Sequence, residues 1–110
     1  MTKRPLALDD ATLPFWHYCS GHQQVIEFDS TGCDCPVPMI NAMAGLQRIA
    51  QTGETLVMIN GFEPLGLYDR VRGCFDWKVQ PLDDKRVMVV FTPKPGCDTV
   101  DFSDRYCKGG

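Results

Sequence analysis

The chain has 110 residues, 44% of them hydrophobic and 23% charged, which fits one globular domain with a core of its own. Eleven Lys and Arg stand against fourteen Asp and Glu, so the formal net charge is −3. This balance excludes strong direct binding of nucleic acid and a polybasic membrane patch, and no apolar run approaches the roughly 20 residues that cross a bilayer. Because the N-terminus also lacks the apolar segment of a signal peptide, we expect a cytoplasmic protein that does not associate with membranes.

The first predicted elements follow a preface, residues 1–24. Within it we expect loop or a short helix around 9–15, and aromatic side chains at 15–18 that cover one edge of the core. The alternating, β-branched segment 25–29 predicts a strand. From residue 36 to 51, apolar residues recur at spacings of three and four, which predicts an amphipathic helix.

This first helix is expected to end before Gly53, because glycine favours the left-handed conformation that closes many helices. Its polar residues fall off the apolar stripe; they are Asn41, Gln47, Arg48 and Gln51. Segment 55–59 is short and continuously apolar, which predicts a strand at the centre of a sheet or covered on both faces.

A second helix is predicted from residue 64 to about 72, since proline suits the first helical position and Gly73 suits the end. Its inner face is expected to comprise Leu65, Leu67, Tyr68 and Val71. After it, aromatic and β-branched residues alternate with polar ones from 75 to 80, and 86–91 is again apolar. The polar turn 83–85 between these runs predicts a hairpin.

The predicted order is therefore β-α-β-α-β-β. The simplest architecture for it is an α+β, two-layer sandwich, with a mixed four-stranded sheet and both helices on one face. We divide the chain into an N-terminal extension at 1–24, a folded domain at 25–93 and a polar C-terminal tail at 94–110.

Six cysteines are unusual for a chain expected in the cytosol, where thiols stay reduced and serve catalysis or metal binding more often than disulfides. A free cysteine is also often a small buried apolar residue, and this is our interpretation of Cys74. The others are Cys19, Cys33, Cys35, Cys97 and Cys107.

Cys35 is the strongest candidate for chemistry. It is predicted to cap the first helix, with Pro36 at the first helical position and Pro38 still inside the first turn, where backbone N–H groups have no partner in the helix. The positive end of the helix dipole would lower the pKa of such a thiol, with the amides of Val37 and Met39 as donors. No Lys, Arg or His lies within ten residues, so a cationic helper must come from elsewhere in the fold. On spacing alone, a functional thiol and a structural cap remain alternatives.

Segment 29–38 contains Asp29, Gly32 and a Cys-Pro-Val-Pro motif at 35–38, and a Gly-Glu pair precedes the strand at 55. In this it resembles the opening of the TusA/SirA-like family of sulfur carriers. Segment 60–68 resembles a related, largely uncharacterised domain family with the same fold, and together the likeness covers about 25–93.

The resemblance implies a βαβαββ sandwich and a sulfurtransferase-like sulfur relay without a cofactor. In that relay Cys35 carries a persulfide. A donor protein, such as a desulfurase or rhodanese, supplies the sulfur, and an acceptor protein receives it. Asp29, Gly32, Pro36 and Pro38 would support the motif. Cys33 stands where the family usually has a leucine-like residue.

Three alternatives remain for the other candidate ligands and thiols. Cys33 is a candidate resolving thiol that attacks a persulfide on Cys35, or its partner in a redox-sensing pair. A zinc site from His17, Cys19 and His22, completed by Cys33 or by Cys35, is the metal alternative, although the spacing matches no recognised zinc pattern. In that case the chain would be a non-catalytic binding or regulatory module.

The tail holds the last candidates. Cys97 and Cys107 are ten residues apart, so each is a candidate swinging arm for sulfur or an incidental thiol. The terminal Gly109-Gly110 is similar to the end of ubiquitin-like sulfur carriers, in two residues only.

Overall fold

The computed structural model describes residues 2–95, which form six strands and two helices in one mixed sheet with a helical layer. In chain order the elements are β1 (Arg4–Leu6), β2 (Phe15–Ser20), β3 (Gln23–Asp29), α1 (Val37–Thr52), β4 (Thr55–Asn60), α2 (Leu65–Val71), β5 (Phe75–Pro81) and β6 (Val87–Pro93).

The sheet order is β1-β2-β3-β4-β6-β5, in which only β3 and β4 are parallel. The predicted βαβαββ order is present from β3 to β6, but the sheet has six strands rather than four. The two extra strands come from the N-terminal extension, whose β2 pairs with β3 from Trp16↔Glu27 to Ser20↔Gln23. The extension therefore belongs to the same sheet as the rest of the fold.

The prediction of loop or a short helix around 9–15 is wrong at its C-terminal end, where β2 begins. A turn at Asp9 and Asp10, the latter with a φ of 69°, lies between the two strands. Alternation explains the difference: Phe15 is 2% exposed in the core, whereas Trp16 is 38% exposed on the opposite face. Consecutive aromatic residues whose side chains alternate between two faces indicate a strand.

Both helices cover the same face of the sheet. α1 packs so closely that a Cβ on Gly45 would lie 2.8 Å from Leu56 Cδ1. The ring of Tyr68 in α2 stacks on Trp77, with centroids 4.4 Å apart. Leu56 and Trp77 are both register partners of Phe91, and residues paired in this way point to one face.

Burial departs from the sequence pattern of the helices at two residues. Asn41 lies off the apolar stripe but is fully buried, because it bonds to the preceding segment rather than to water. Leu65 is 60% exposed at the first position of α2, while the other three predicted inner residues are buried. Within residues 2–95, neither helix has the length and apolar character needed to span a membrane.

Candidate functional site

The turn after β3 leads the backbone toward the motif cysteines. The N–H of Cys33 donates to Ser30 O at 3.0 Å, and Gly32 has a φ of 80°, which a type II turn needs at this position. Asp29 Oδ1 accepts a hydrogen bond from the N–H of Thr31 at 2.8 Å. Two of the motif-supporting residues, Asp29 and Gly32, thus shape this turn.

Cys35 lies one residue further from α1 than predicted. The N-cap is Pro36 rather than Cys35, with φ −100° and ψ 14°, so this proline stays outside the helical conformation. Val37 and Pro38 take the first two helical positions, and the peptide bond between Cys35 and Pro36 is cis. Cys35 therefore sits immediately before the positive end of a 16-residue helix without capping it.

Few amides of the first turn remain for an anion near Cys35. Val37 N–H donates to Asp34 O at 2.9 Å, so it is already used. Pro38 has no N–H. The N–H of Met39 is the other donor that the sequence predicted in this turn.

A small pocket opens beside Cys35. Its volume is about 20 Å³, slightly above the roughly 10–15 Å³ that a single water molecule requires. Apart from Cys35 and Asn60, the lining is apolar; it consists of Pro38, Met39, Met58, Phe62, Pro64 and Leu67. A guest of one heavy atom would be surrounded mainly by carbon and thioether groups.

Asn60 is held in place by a buried hydrogen-bonded pair that the sequence analysis missed. The hydroxyl of Ser30 donates to Asn60 Oδ1 at 2.9 Å, and Asn60 Nδ2 donates to Phe62 O at 3.0 Å. The pair connects the turn after β3 with the loop after β4. The positions of the two residues in the chain could have indicated this pair. Asn60 ends β4 and Ser30 follows β3, and the carboxyl ends of parallel strands meet at one edge of a sheet.

The oxidation state differs from the expected reduced thiols. Cys35 and Cys74 are each engaged in a disulfide bond, whereas Cys19 and Cys33 are free. The two bonded cysteines lie at opposite ends of the sheet, since Cys74 precedes β5 and Cys35 lines the pocket at the end of β4. Cys74 is buried as predicted, but it is cross-linked as well.

The turn between β5 and β6 brings cations to the end of the sheet that holds Cys35. Arg86 Nη1 lies 3.9 Å from Asp29 Oδ2, and Arg86 Nη2 lies 2.8 Å from Asp83 Oδ2. We call this end the Cys35 edge; it comprises residues 29–36, 61–65 and 82–86. The charge of Arg86 is directed at these two carboxylates.

The four residues of the zinc alternative are not brought together. His17, Cys19 and His22 lie on β2 and in the turn before β3, while Cys33 follows the far end of β3. A seven-residue strand spans roughly 20 Å. No group of three His, Cys, Asp or Glu side chains in residues 2–95 is arranged to hold a metal ion.

His17 belongs instead to a charged cluster at the end of the sheet opposite the Cys35 edge. Glu54, 8% exposed, accepts hydrogen bonds from Arg48 Nε and Thr52 Oγ1, both at 2.7 Å. His17 Nε2 lies 3.0 Å from Glu54 Oε2 without the alignment of a hydrogen bond, so this contact is electrostatic. Burial raises the pKa of Glu54, but these partners together outweigh it and hold the pKa below its ordinary value.

No family model, curated protein or solved structure matches the chain. The tail candidates, Cys97, Cys107 and Gly109-Gly110, lie outside the described residues.

Proposed function

We propose that this chain is a sulfur-relay protein in which reduced Cys35 carries sulfane sulfur as a persulfide. The main observation in support of this proposal is the position of Cys35. It lies directly before the N-terminus of α1 and beside a pocket with room for about one heavy atom. A thiolate and a persulfide anion are both favoured by the positive end of a helix. The resemblance of the motif to that of sulfur carriers supports the same interpretation.

The chemistry is two thiolate displacements. The Cys35 thiolate attacks the terminal sulfur of a donor protein's cysteine persulfide; the donor's S–S bond breaks, and its cysteine leaves as a thiolate. An acceptor protein's cysteine thiolate then attacks the terminal sulfur on Cys35, and Cys35 leaves as a thiolate. No net oxidation or reduction occurs in either step.

Because Cys35 is engaged in a disulfide, this relay requires a prior reduction. A cellular dithiol would supply the two electrons, giving two thiols from the disulfide and becoming a disulfide itself. In the oxidised form Cys35 cannot accept sulfur.

Cys33 is proposed as the resolving thiol of the same site. It is free and half-buried, two residues before Cys35. Its thiolate would attack the inner sulfur of the Cys35 persulfide, forming a Cys33–Cys35 disulfide and releasing hydrosulfide.

The test uses the full chain, reduced and freed of reductant, then incubated with inorganic polysulfide as the sulfur donor. Mass spectrometry of intact protein and of its peptides is expected to place one added sulfur atom on Cys35. The addition should be lost in Cys35→Ser. In Cys33→Ser it should be retained and persist longer than in the original chain, because the resolving thiol is absent. An equal addition in Cys35→Ser would overturn the proposal.

A second candidate function is thiol redox sensing, favoured by the disulfide at Cys35. It predicts that mild oxidant reforms this disulfide reversibly while reduced protein takes up no sulfur from polysulfide. Because Cys33 is free, the Cys33–Cys35 pair of the sequence analysis is not the bond present in this state.

A further inference from the structure

The Cys35 edge concentrates exposed apolar surface. Residues 2–95 carry five exposed large apolar side chains, and three of them lie here: Phe62 at 47%, Leu65 at 60% and Leu82 at 41% exposure. Phe62 also lines the pocket beside Cys35, so the apolar surface begins where the thiol site ends. Clustered exposed apolar residues with a polar rim are typical of a contact surface for another protein.

The rim of this surface is acidic. The three segments of the Cys35 edge contain five acidic residues, namely Asp29, Asp34, Glu63, Asp83 and Asp84, against only Lys85 and Arg86. Since Arg86 faces Asp29 and Asp83, its charge is largely used within the chain. Asp34, Glu63 and Asp84 are the acidic residues of this edge that do not face Arg86.

The β5–β6 turn is part of the same continuous surface. Lys85 O lies 3.9 Å from the position a Cβ would take on Gly61, next to Phe62. On its other side, Thr31 and the residues of the turn line one shallow cleft. The acidic turn therefore adjoins both loops that flank the motif cysteines.

We propose that the Cys35 edge is the docking surface for a protein partner with a basic, apolar face around its own reactive cysteine. This inference rests on the proposed function, because it names the kind of partner that would exchange sulfur with Cys35. Phe62 and Leu65 supply apolar contact, and the acidic rim attracts Lys and Arg of the partner. Such complementarity acts mainly on the association rate and on specificity.

The test measures the reaction of reduced Cys35 with synthetic cysteine peptides, each supplied as a mixed disulfide with 2-thiopyridine. The Cys35 thiolate attacks the peptide sulfur and thiopyridine leaves, so the readout needs no persulfide. Two peptides carry the same Leu and Phe residues beside the cysteine, flanked by Lys in one and by Glu in the other. The rate at which Cys35→Ser reacts with the same peptide is subtracted, so that the difference is the rate of Cys35 alone.

The basic peptide is expected to react roughly tenfold faster or more at low salt. The difference should collapse as ionic strength rises from about 0.01 to about 1 M, which shortens the Debye length from about 30 to about 3 Å. The triple variant Asp34→Asn, Glu63→Gln, Asp84→Asn should lose the preference, and Asp76→Asn, an exposed acid at the opposite end of the sheet, should keep it.

For the apolar part, Phe62→Ser and Leu65→Ser should slow both peptides, whereas Trp16→Ser should leave both rates unchanged. Equal rates for the two peptides at low salt, or a faster acidic peptide, would overturn the docking proposal. That failure is distinct from failure of the relay, which would show as absent sulfur uptake by Cys35 in the polysulfide experiment.

Discussion

Asn41 is a single side chain that ties the N-terminal segment to α1. Its Oδ1 accepts from the N–H groups of Thr12 and Leu13 at 2.8 and 3.0 Å, and its Nδ2 donates to Thr12 Oγ1 and Val37 O. These four hydrogen bonds, made to a buried side chain instead of to water, fix the connection between β1 and β2 against α1.

Asn41→Leu keeps the side-chain volume close to the original but removes all four hydrogen bonds. We expect the free energy of unfolding to fall by about 2–4 kcal/mol, because two inward-facing amides lose their acceptor. Urea unfolding followed by circular dichroism measures this. Gln51→Leu, an exposed amide on the same helix, is the matched control and should change stability little; equal losses in both would show that the Asn41 bonds contribute nothing.

Among the elements, α1 depends on a close approach to the sheet at Gly45. A Cβ there would lie 2.8 Å from Leu56 Cδ1 and 3.2 Å from the ring of Phe15. The Phe15 ring is itself packed on Phe28, with centroids 4.9 Å apart, so it has little room to move. The spacing between helix and sheet is therefore set by the absence of a side chain.

Gly45→Val should push α1 away from the sheet and lower the free energy of unfolding by about 1–3 kcal/mol. Ala50→Val places the same side chain on the exposed face of α1. It should lower the free energy of unfolding only by the small difference in helix propensity between alanine and valine. Thermal and urea unfolding compare the two variants. Gly45→Val as stable as Ala50→Val would mean that the helix adjusts without cost.

Elements with a strong period of their own were predictable from the sequence. α1 and β4 appear within one or two residues of expectation, because apolar spacing follows directly from helix and strand geometry. β1 and β2 were missed because their stability comes from strand pairing, of β1 with β2 and of β2 with β3, and pairing is not a local pattern.

The same limit applies to the candidate site. The Cys-Pro-Val-Pro motif located Cys35, but local sequence could not show that Asn60 and the β5–β6 turn, 25 or more positions away, lie at the same edge. Leu65 was assigned to the core on period alone; period gives the direction of a side chain but not whether another element covers it.

At the scale of the whole molecule, the two ends of the sheet differ in chemistry. The Cys35 edge combines a thiol pocket, exposed apolar residues and an excess of acid. At the opposite end, Glu54 joins the C-terminal end of α1, through Arg48 and Thr52, to β2 through His17. That cluster spans the helical layer and the sheet, so its protonation is coupled to global stability.

Glu54 should therefore contribute a pH-dependent part of the free energy of unfolding. Its pKa in the folded chain is below the ordinary 4.5, since hydrogen bonds from Arg48 and Thr52 outweigh burial. Above pH 4.5 the carboxyl is ionised in both states and the stabilisation is fully present. As the pH falls below 4.5 the unfolded chain takes up the proton first, so stability declines until the folded pKa is passed.

Glu54→Gln keeps an acceptor for Arg48 and Thr52 but removes the charge. Its stability deficit relative to the original chain should be largest near neutral pH and shrink as the pH falls from about 5 toward 3. Urea unfolding across that range measures the deficit. In an Arg48→Met background, which keeps the aliphatic stem, the deficit at neutral pH should be smaller, because the main cationic partner is gone. A deficit that is constant with pH would contradict the lowered pKa, and one unaffected by Arg48→Met would contradict its assigned cause.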